Sequence, residues 1–386
     1  MSSSHLNGTQ TPEQNMGIGL LMVESVRGGE LKFMEELSNY YLSPIKVIYD
    51  RNTLRLDSSV KRMVKICIIL ISKVFPKHKH GIAATLSTLG MKLGPDNRRW
   101  FVSSSVSIPP RASRMLLYVH TTPRIFTSEY DYYLELYRNT SPIISLFLPL
   151  GKLIFNRLYG KSLKKASIVV CNSAIVKSRI RKYYGVDAVV LHPCVSVDNF
   201  NPGTFNRYFL YVSRYEPLKN HMFVIKAFDK FYSHRKNFKL ILAGASNTND
   251  VTTSYIDSLK SYVNDHKLPV EFIFNESHER IIELYRNCYT VLFAARNEDF
   301  GYIIIEGMAC GKPVISINEG GPSEIIQNGS DGFLVNSIEE MTEKMLSLAE
   351  SDMELGRISA NARKTAVEHF SQGVFFARLN ELLNSI

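Results

Sequence analysis

Residues 296–335 read RNEDFGYIIIEGMACGKPVISINEGGPSEIIQNGSDGFLV, and their pattern decides the fold. The stretch follows TVLFAA (290–295), an apolar run of strand length. A polar turn with Glu298, Asp299, Phe300 and Gly301 comes next, then a helical segment that contains Glu306 and ends before Gly311. Pro313 opens a second apolar run, KPVISI (312–317). Strand, turn, helix and strand in that order build a parallel sheet covered by helices, because strands buried on both faces read as continuous apolar runs.

The same alternation extends in both directions. RYFLYVSR (207–214), FKLILAG (238–244), EFIFN (271–275) and GFLV (332–335) complete a set of strands in the second half. GIGLLMVES (17–25), KVIYD (46–50), RMLLYVH (114–120), ASIVVCNS (166–173) and AVVLHP (188–193) form a comparable set in the first. The expected fold is α/β, with two doubly wound Rossmann-like domains facing each other across a cleft. The boundaries read as a disordered tail 1–16, a first domain 17–203, a second domain 204–370 and a final helix 371–386, with Pro202-Gly203 at the junction. Gly17-x-Gly19 precedes the first strand instead of following it, so it is no dinucleotide fingerprint. The segment 51–113 shows no strong pattern.

Composition excludes several classes. The 386 residues are 45% hydrophobic and 21% charged, which is globular and not disordered. The five cysteines have no metal or disulfide spacing and read as reduced thiols of a cytoplasmic protein. The first fifteen residues lack a secretory signal. The apolar runs 63–75 and 143–155 fall short of a membrane span and read as buried helices. Net charge is +10 and uneven: residues 1–203 hold 27 Lys+Arg against 13 Asp+Glu, whereas 204–386 hold 19 against 23. No nucleic-acid motif accompanies the basic half, so nucleic acid is not expected as a partner. The run 60–80, VKRMVKICIILISKVFPKHKH, pairs lysines with apolar residues. It fits either an anionic membrane surface or a core helix with a solvated face.

The chemistry concentrates in two places. Gly301 at a helix entry lets backbone N–H groups approach an anion, and the helix N-terminus adds about half a positive charge. Glu298 and Glu306 flank that entry and can face one ligand, where sugar hydroxyls would relieve their repulsion. A helix cap and a solvated carboxylate explain the same two residues equally well. In YVSRYEPLKNH (211–221), Arg214 and Lys219 follow a strand and suit a diphosphate, or are two surface charges.

Taken together, Glu298-x7-Glu306, the turn Phe300-Gly301, EGMACGKPVI and GGPSEII resemble the retaining GT-B glycosyltransferases of the group 1, glycosyltransferase family 4-like, type. VRGGELKFMEEL (26–37), YVHTTPR (118–124), IVVCNSAIVKSRIRKYYG (168–185) and HPCVSVDNFNP (192–202) resemble that family's first-half segments. The resemblance implies that Arg214 and Lys219 hold the donor diphosphate, with Phe300, Gly301 and Tyr302 beside it and Gly29 beside the phosphate or the acceptor. It implies that Glu306 takes the ribose hydroxyls, that Glu298 contacts the transferred sugar, and that His120 reaches that sugar from the first domain. Glu324 carries over only as structural or cleft-lining.

The implied reaction moves a hexose from a nucleoside diphosphate sugar to an acceptor hydroxyl with retention. Cations and a helix terminus stand in for a metal, so no cofactor is expected. The implied acceptor is a lipid-linked glycan or glycolipid at the cytosolic membrane face, with the enzyme peripheral on that surface. Two alternatives stay open: a nucleotide-sugar epimerase on the same fold, which needs no acceptor, and a non-catalytic sugar-nucleotide or glycan-binding protein.

Overall fold

The structure, a computed structural model, describes residues 18–24, 29–43, 45–49, 99–104, 108–110, 112–246 and 250–386. The chain divides into two compact units, Met1–Leu191 with Ala377–Ile386, and His192–Phe376. The tail 1–16 and the basic run 60–80 lie outside the described residues.

The first unit carries β1 (Ile18–Glu24), β2 (Ile45–Tyr49), β3 (Arg99–Ser104), β4 (Met115–Val119), β5 (Ile168–Cys171) and β6 (Val189–Val190). They form one sheet in the order β2-β1-β3-β4-β5-β6, with every pairing parallel. Its helices are α1 (Gly29–Tyr41), α2 (Tyr130–Thr140), α3 (Pro142–Leu163) and α4 (Ala174–Tyr184). Ser173 starts α4 by accepting the Val176 N–H, and Gly185 stops it in the left-handed region at φ 62°. Gly19 lies inside β1, not before it. A Cβ there would stand 2.6 Å from the Trp100 ring, so the glycine makes room for that indole.

The second unit carries β7 (Tyr208–Val212), β8 (Lys239–Gly244), β9 (Val270–Phe274), β10 (Thr290–Phe293), β11 (Val314–Ile317) and β12 (Phe333–Val335). Their order is β12-β11-β10-β7-β8-β9, again all parallel. The helices are α5 (His221–His234), α6 (Asp250–Asp265), α7 (His278–Asn287), α8 (Tyr302–Ala309), α9 (Pro322–Ile325), α10 (Ile338–Glu350) and α11 (Asp352–Phe370), and α12 (Gln372–Asn384) starts in this unit and continues into the first. The first strand, β7, lies in the middle of the sheet. Strand order runs outward from it on one side through β8 and β9, and on the other through β10, β11 and β12. Ligands of such sheets bind beyond the carboxyl ends of the strands at that switch point. The core beneath it is aromatic: Phe209 packs edge-on to Phe231 at 4.9 Å and stacks on Phe238 at 5.3 Å.

Three expectations change. The break between units falls after Leu191, not at Pro202-Gly203. Segment 192–203 joins the second unit because Val195 donates to Phe370 O at 2.8 Å and Phe200 is buried against Tyr285. Arg363 also donates to the carbonyls of Val197 and Phe200. The final helix forms as expected, α12 over Gln372–Asn384, but from Ala377 onward it completes the first unit. There Tyr41 donates to Asn380 Oδ1 at 2.6 Å, and Leu379 and Leu383 are fully buried. The run 143–155 is not a buried helix: α3 buries Ile144 and Leu148 but exposes the opposite side, including Leu146 and Phe147.

Candidate active site

Three loops leave the carboxyl ends of β7, β10 and β11, which are neighbours in the second sheet. The loop after β7 is pinned before it reaches its charged residues. Ser213 donates its N–H to Ala243 O at 2.9 Å, and Tyr215 donates to Ala245 O at 3.1 Å. Gly244 is required at the end of β8, because a Cβ there would lie 1.8 Å from Ser213 O. A short 3-10 turn (Pro217–Lys219) and a left-handed Asn220, φ 53°, then deliver the chain into α5.

The loop after β10 is fastened to both neighbours. Arg296 donates its N–H to Leu218 O at 3.0 Å, joining it to the β7 loop. Asn297, left-handed at φ 57°, donates its N–H to Glu319 Oε1 at 2.8 Å. Gly321 N–H donates to Glu298 O at 2.9 Å. The two glycines after β11 are needed for this contact. A Cβ on Gly320 would stand 2.4 Å from Glu298 O, and one on Gly321 2.3 Å from Phe300 O. Gly301, φ 105°, then turns the chain into α8.

These fastenings set the charged groups. Lys219 Nζ donates to Glu298 Oε2 at 2.7 Å, and both side chains are roughly four-fifths buried. Arg214 donates to Glu216 Oε1 at 2.7 Å and is mostly exposed. Glu298 therefore has a lysine to offset it, so the repulsion expected between two carboxylates is relieved within the protein. Glu306 lies on α8 beside the buried phenol of Tyr285 on α7. Burial and that carboxylate together hold the Tyr285 hydroxyl well above its ordinary range.

The sequence-nominated residues divide between the units. Arg214, Lys219, Glu298, Phe300, Gly301, Tyr302 and Glu306 all belong to the second unit, the first two in the loop after β7 and the rest in the loop after β10 or on α8. Phe300 points inward, 5.7 Å from the His192 ring and 6.1 Å from Phe370, so only its backbone is available to a ligand. His120 follows β4 in the first unit, where Ser103 Oγ and His120 Nε2 are 3.1 Å apart and the ring lies edge-on to Phe33. Gly29 opens α1. Glu324 faces His192 Nε2 at 3.5 Å. Among the described residues, no cluster of His, Cys, Asp and Glu converges as a metal site.

Sequence reasoning missed His221. It is buried at the start of α5, 2.9 Å from Ser213 Oγ, and stacked on Tyr215 at 4.9 Å. Burial, reinforced by Lys219, lowers its pKa to about 3, so the ring is neutral and supports the β7 loop from beneath. Its neighbours in sequence, Asn220 and Met222, gave no sign of that contact. It also missed β3, whose Ser103 and Ser104 are fully buried.

Two α/β units, each built on a parallel sheet flanked by helices, are the architecture of the GT-B class. The fold is similar to that in the crystal structure of Anabaena Alr3699/HepE in complex with UDP and glucose, with TM-score 0.67 and 16% identity, covering 96% of this chain and 100% of that one. Residues 199–365 match the family model described as Glycosyl transferases group 1. An alpha-1,3/1,6-mannosyltransferase from Dictyostelium discoideum is 23% identical over 312 residues, 71% of each chain. The GDP-Man:Man(3)GlcNAc(2)-PP-Dol alpha-1,2-mannosyltransferase of the same organism is 24% identical over 269 residues, 62% of this chain and 52% of its own length.

Proposed function

We propose that the protein is a retaining hexosyltransferase, using a nucleoside diphosphate sugar and a lipid-linked glycan acceptor. The observation that carries this reading is the ion pair of Lys219 with Glu298, which joins the loops after β7 and β10, with Arg214 on the same β7 loop, inside the segment that matches the group 1 glycosyl transferase model. A donor diphosphate would draw Lys219 and Arg214 away from Glu298 and Glu216. That frees Glu298 to accept a hydroxyl of the transferred sugar. Gly301 and the first turn of α8 offer N–H groups and a partial positive charge to the leaving phosphate. Glu306 takes the ribose hydroxyls, while Gly29 and Tyr302 border the donor. His120, aligned by Ser103, contacts the sugar. Negative charge that develops on the departing diphosphate is met by fixed cations, so no metal is assigned to the reaction. The departing oxygen accepts the acceptor's proton, and no separate base is required.

The acceptor class rests on the kinship with the two mannosyltransferases, one of which bears a PP-Dol glycan in its name. With the basic first half, that kinship supports a position on the cytosolic membrane face. The test is a panel of radiolabelled nucleoside diphosphate hexoses, with and without membrane lipid extract, run in chelator. Label passing into lipid only when extract is present supports the proposal. Donor conversion to an epimer without acceptor, binding without turnover, or activity restored only by magnesium or manganese would each overturn part of it.

A further inference from the structure

Helix α3 carries two apolar faces, and among the described residues only one of them is covered. The inner face is tied into the first unit: Ile144 and Leu148 pack with Tyr137, and Tyr159 stacks on Phe155 at 5.7 Å. Asn156 Nδ2 donates to Phe126 O at 2.9 Å, and Ser162 Oγ to Pro109 O at 2.7 Å. The outer face presents Ile143, Leu146, Phe147, Leu150, Leu153 and Ile154, each 50–74% exposed. Their spacing of three and four keeps them on one side of the helix over about 17 Å, at roughly 1.5 Å per residue. Single exposed apolar residues are ordinary, but a continuous stripe marks an interaction surface.

Charge selects the occupant. Residues 142–165 contain five cations and no carboxylate. Lys152 is turned inward, with Nζ 3.5 Å from the centre of the Tyr130 ring. Arg157, Lys161, Lys164 and Lys165 are exposed, and Arg157 and Lys161 return to the azimuth of the apolar stripe at about 3.6 residues per turn. One face thus runs from apolar to basic. A second copy of the chain fits this surface poorly. Parallel pairing sets cation against cation, and antiparallel pairing buries cations on leucine and phenylalanine. The interface of an anionic bilayer satisfies both ends, with acyl chains for the stripe and headgroup phosphates for the cations.

We infer that the outer face of α3 lies in the plane of an anionic membrane and inserts Leu146, Phe147 and Leu150 below the headgroups. The helix is long and apolar enough to cross a bilayer by composition. Its inner face is bonded into the first unit, however, so it lies along the surface instead of spanning it. This contact is separate from the one expected of the run 60–80, and it does not depend on the transferase reading.

The test uses the full chain and no donor or acceptor, with residues 60–80 unchanged throughout. Sedimentation is measured with phosphatidylcholine vesicles, with and without phosphatidylserine. The parent should bind the mixed vesicles. Leu146→Ser/Phe147→Ser/Leu150→Ser should lower its partition at least about tenfold, because the inserted apolar area is lost. Lys161→Glu/Lys164→Glu/Lys165→Glu should weaken binding to the anionic vesicles alone. In Leu150→Trp, brominated acyl chains should quench emission beyond that of Trp100 in the parent. The inference is overturned if the triple serine variant partitions like the parent, or if the new indole is not quenched. It is also overturned if the stripe drives self-association in sedimentation velocity while vesicles take up no protein.

Discussion

Lys219 and Arg214 are both basic and both near the end of β7, yet their environments make their substitutions differ. Lys219 is mostly buried against Glu298, whereas Arg214 is mostly exposed beside Glu216. Lys219→Ala leaves a partly buried carboxylate without its partner and should lower stability by about 1 kcal/mol, while Arg214→Ala should cost close to nothing. In transfer the two should converge. Each loses a charge-assisted bond to developing phosphate charge, so kcat/KM should fall by roughly 30- to 100-fold in either variant. Denaturant melts and initial rates check the two halves of this expectation. Near-normal rates in the double variant would remove both residues from the donor site. Glu298→Gln keeps the shape and drops the charge. Calorimetry should find nucleoside diphosphate affinity retained, while turnover falls about 100-fold, the scale of losing one directed electrostatic contact in a transition state.

At the scale of elements, the loops are held by close backbone packing, which a one-dimensional reading reports only as glycine. GGPSEII was legible as a motif, but the reason for Gly320-Gly321 is the carbonyls of Glu298 and Phe300 against which they lie. Gly321→Ala should push the β10 loop outward, cost about 1–3 kcal/mol, and cut turnover even though no ligand group is removed. A melt and a rate measured together test this, and an unchanged rate would show the loop position to be unimportant. Strand β3 was illegible because RWFVSS ends in serines, which signal loops, whereas here they are buried under His120. The apolar run of α3 was read as core because composition cannot tell which of two apolar faces has a neighbour.

His221 adds a pH dependence at the same scale. Its pKa in the folded chain, about 3, lies below the ordinary value near 6.5. Between those values the unfolded chain binds a proton that the folded chain refuses, so stability is full above about pH 6.5 and declines as pH falls toward 3. The loss amounts to several kcal/mol over that window. Unfolding free energy against pH should be steeper for the parent than for His221→Gln. Parallel curves would mean that the ring is not held neutral.

Over the whole molecule, the alternation of strands and helices was readable in both halves, and the motifs of the second half pointed to the group 1 model that residues 199–365 match. What could not be read was which unit owns the chain's end. FSQGVFFARLNELLNSI follows the second sheet in sequence, so nothing local assigns it elsewhere. The assignment comes from contacts far apart in the chain. Tyr41 bonds to Asn380, Arg99 donates to Asn384 Oδ1 at 2.6 Å, and Arg114 donates to Ile386 O. Leu379 and Leu383 are fully buried, each worth about 1.5–3 kcal/mol of apolar burial. Ending the chain at Phe376 should therefore weaken the first unit by several kcal/mol, although every residue removed lies beyond the second. The second unit keeps its own sheet and aromatic core, so its protection should survive. Hydrogen exchange read by mass spectrometry resolves the two. Peptides from β1, β3 and β4 should lose protection in the shortened chain, while those from β7, β8 and β10 should keep it. Loss confined to β7–β12 would assign the final helix to the second unit after all, as its place in the sequence suggests.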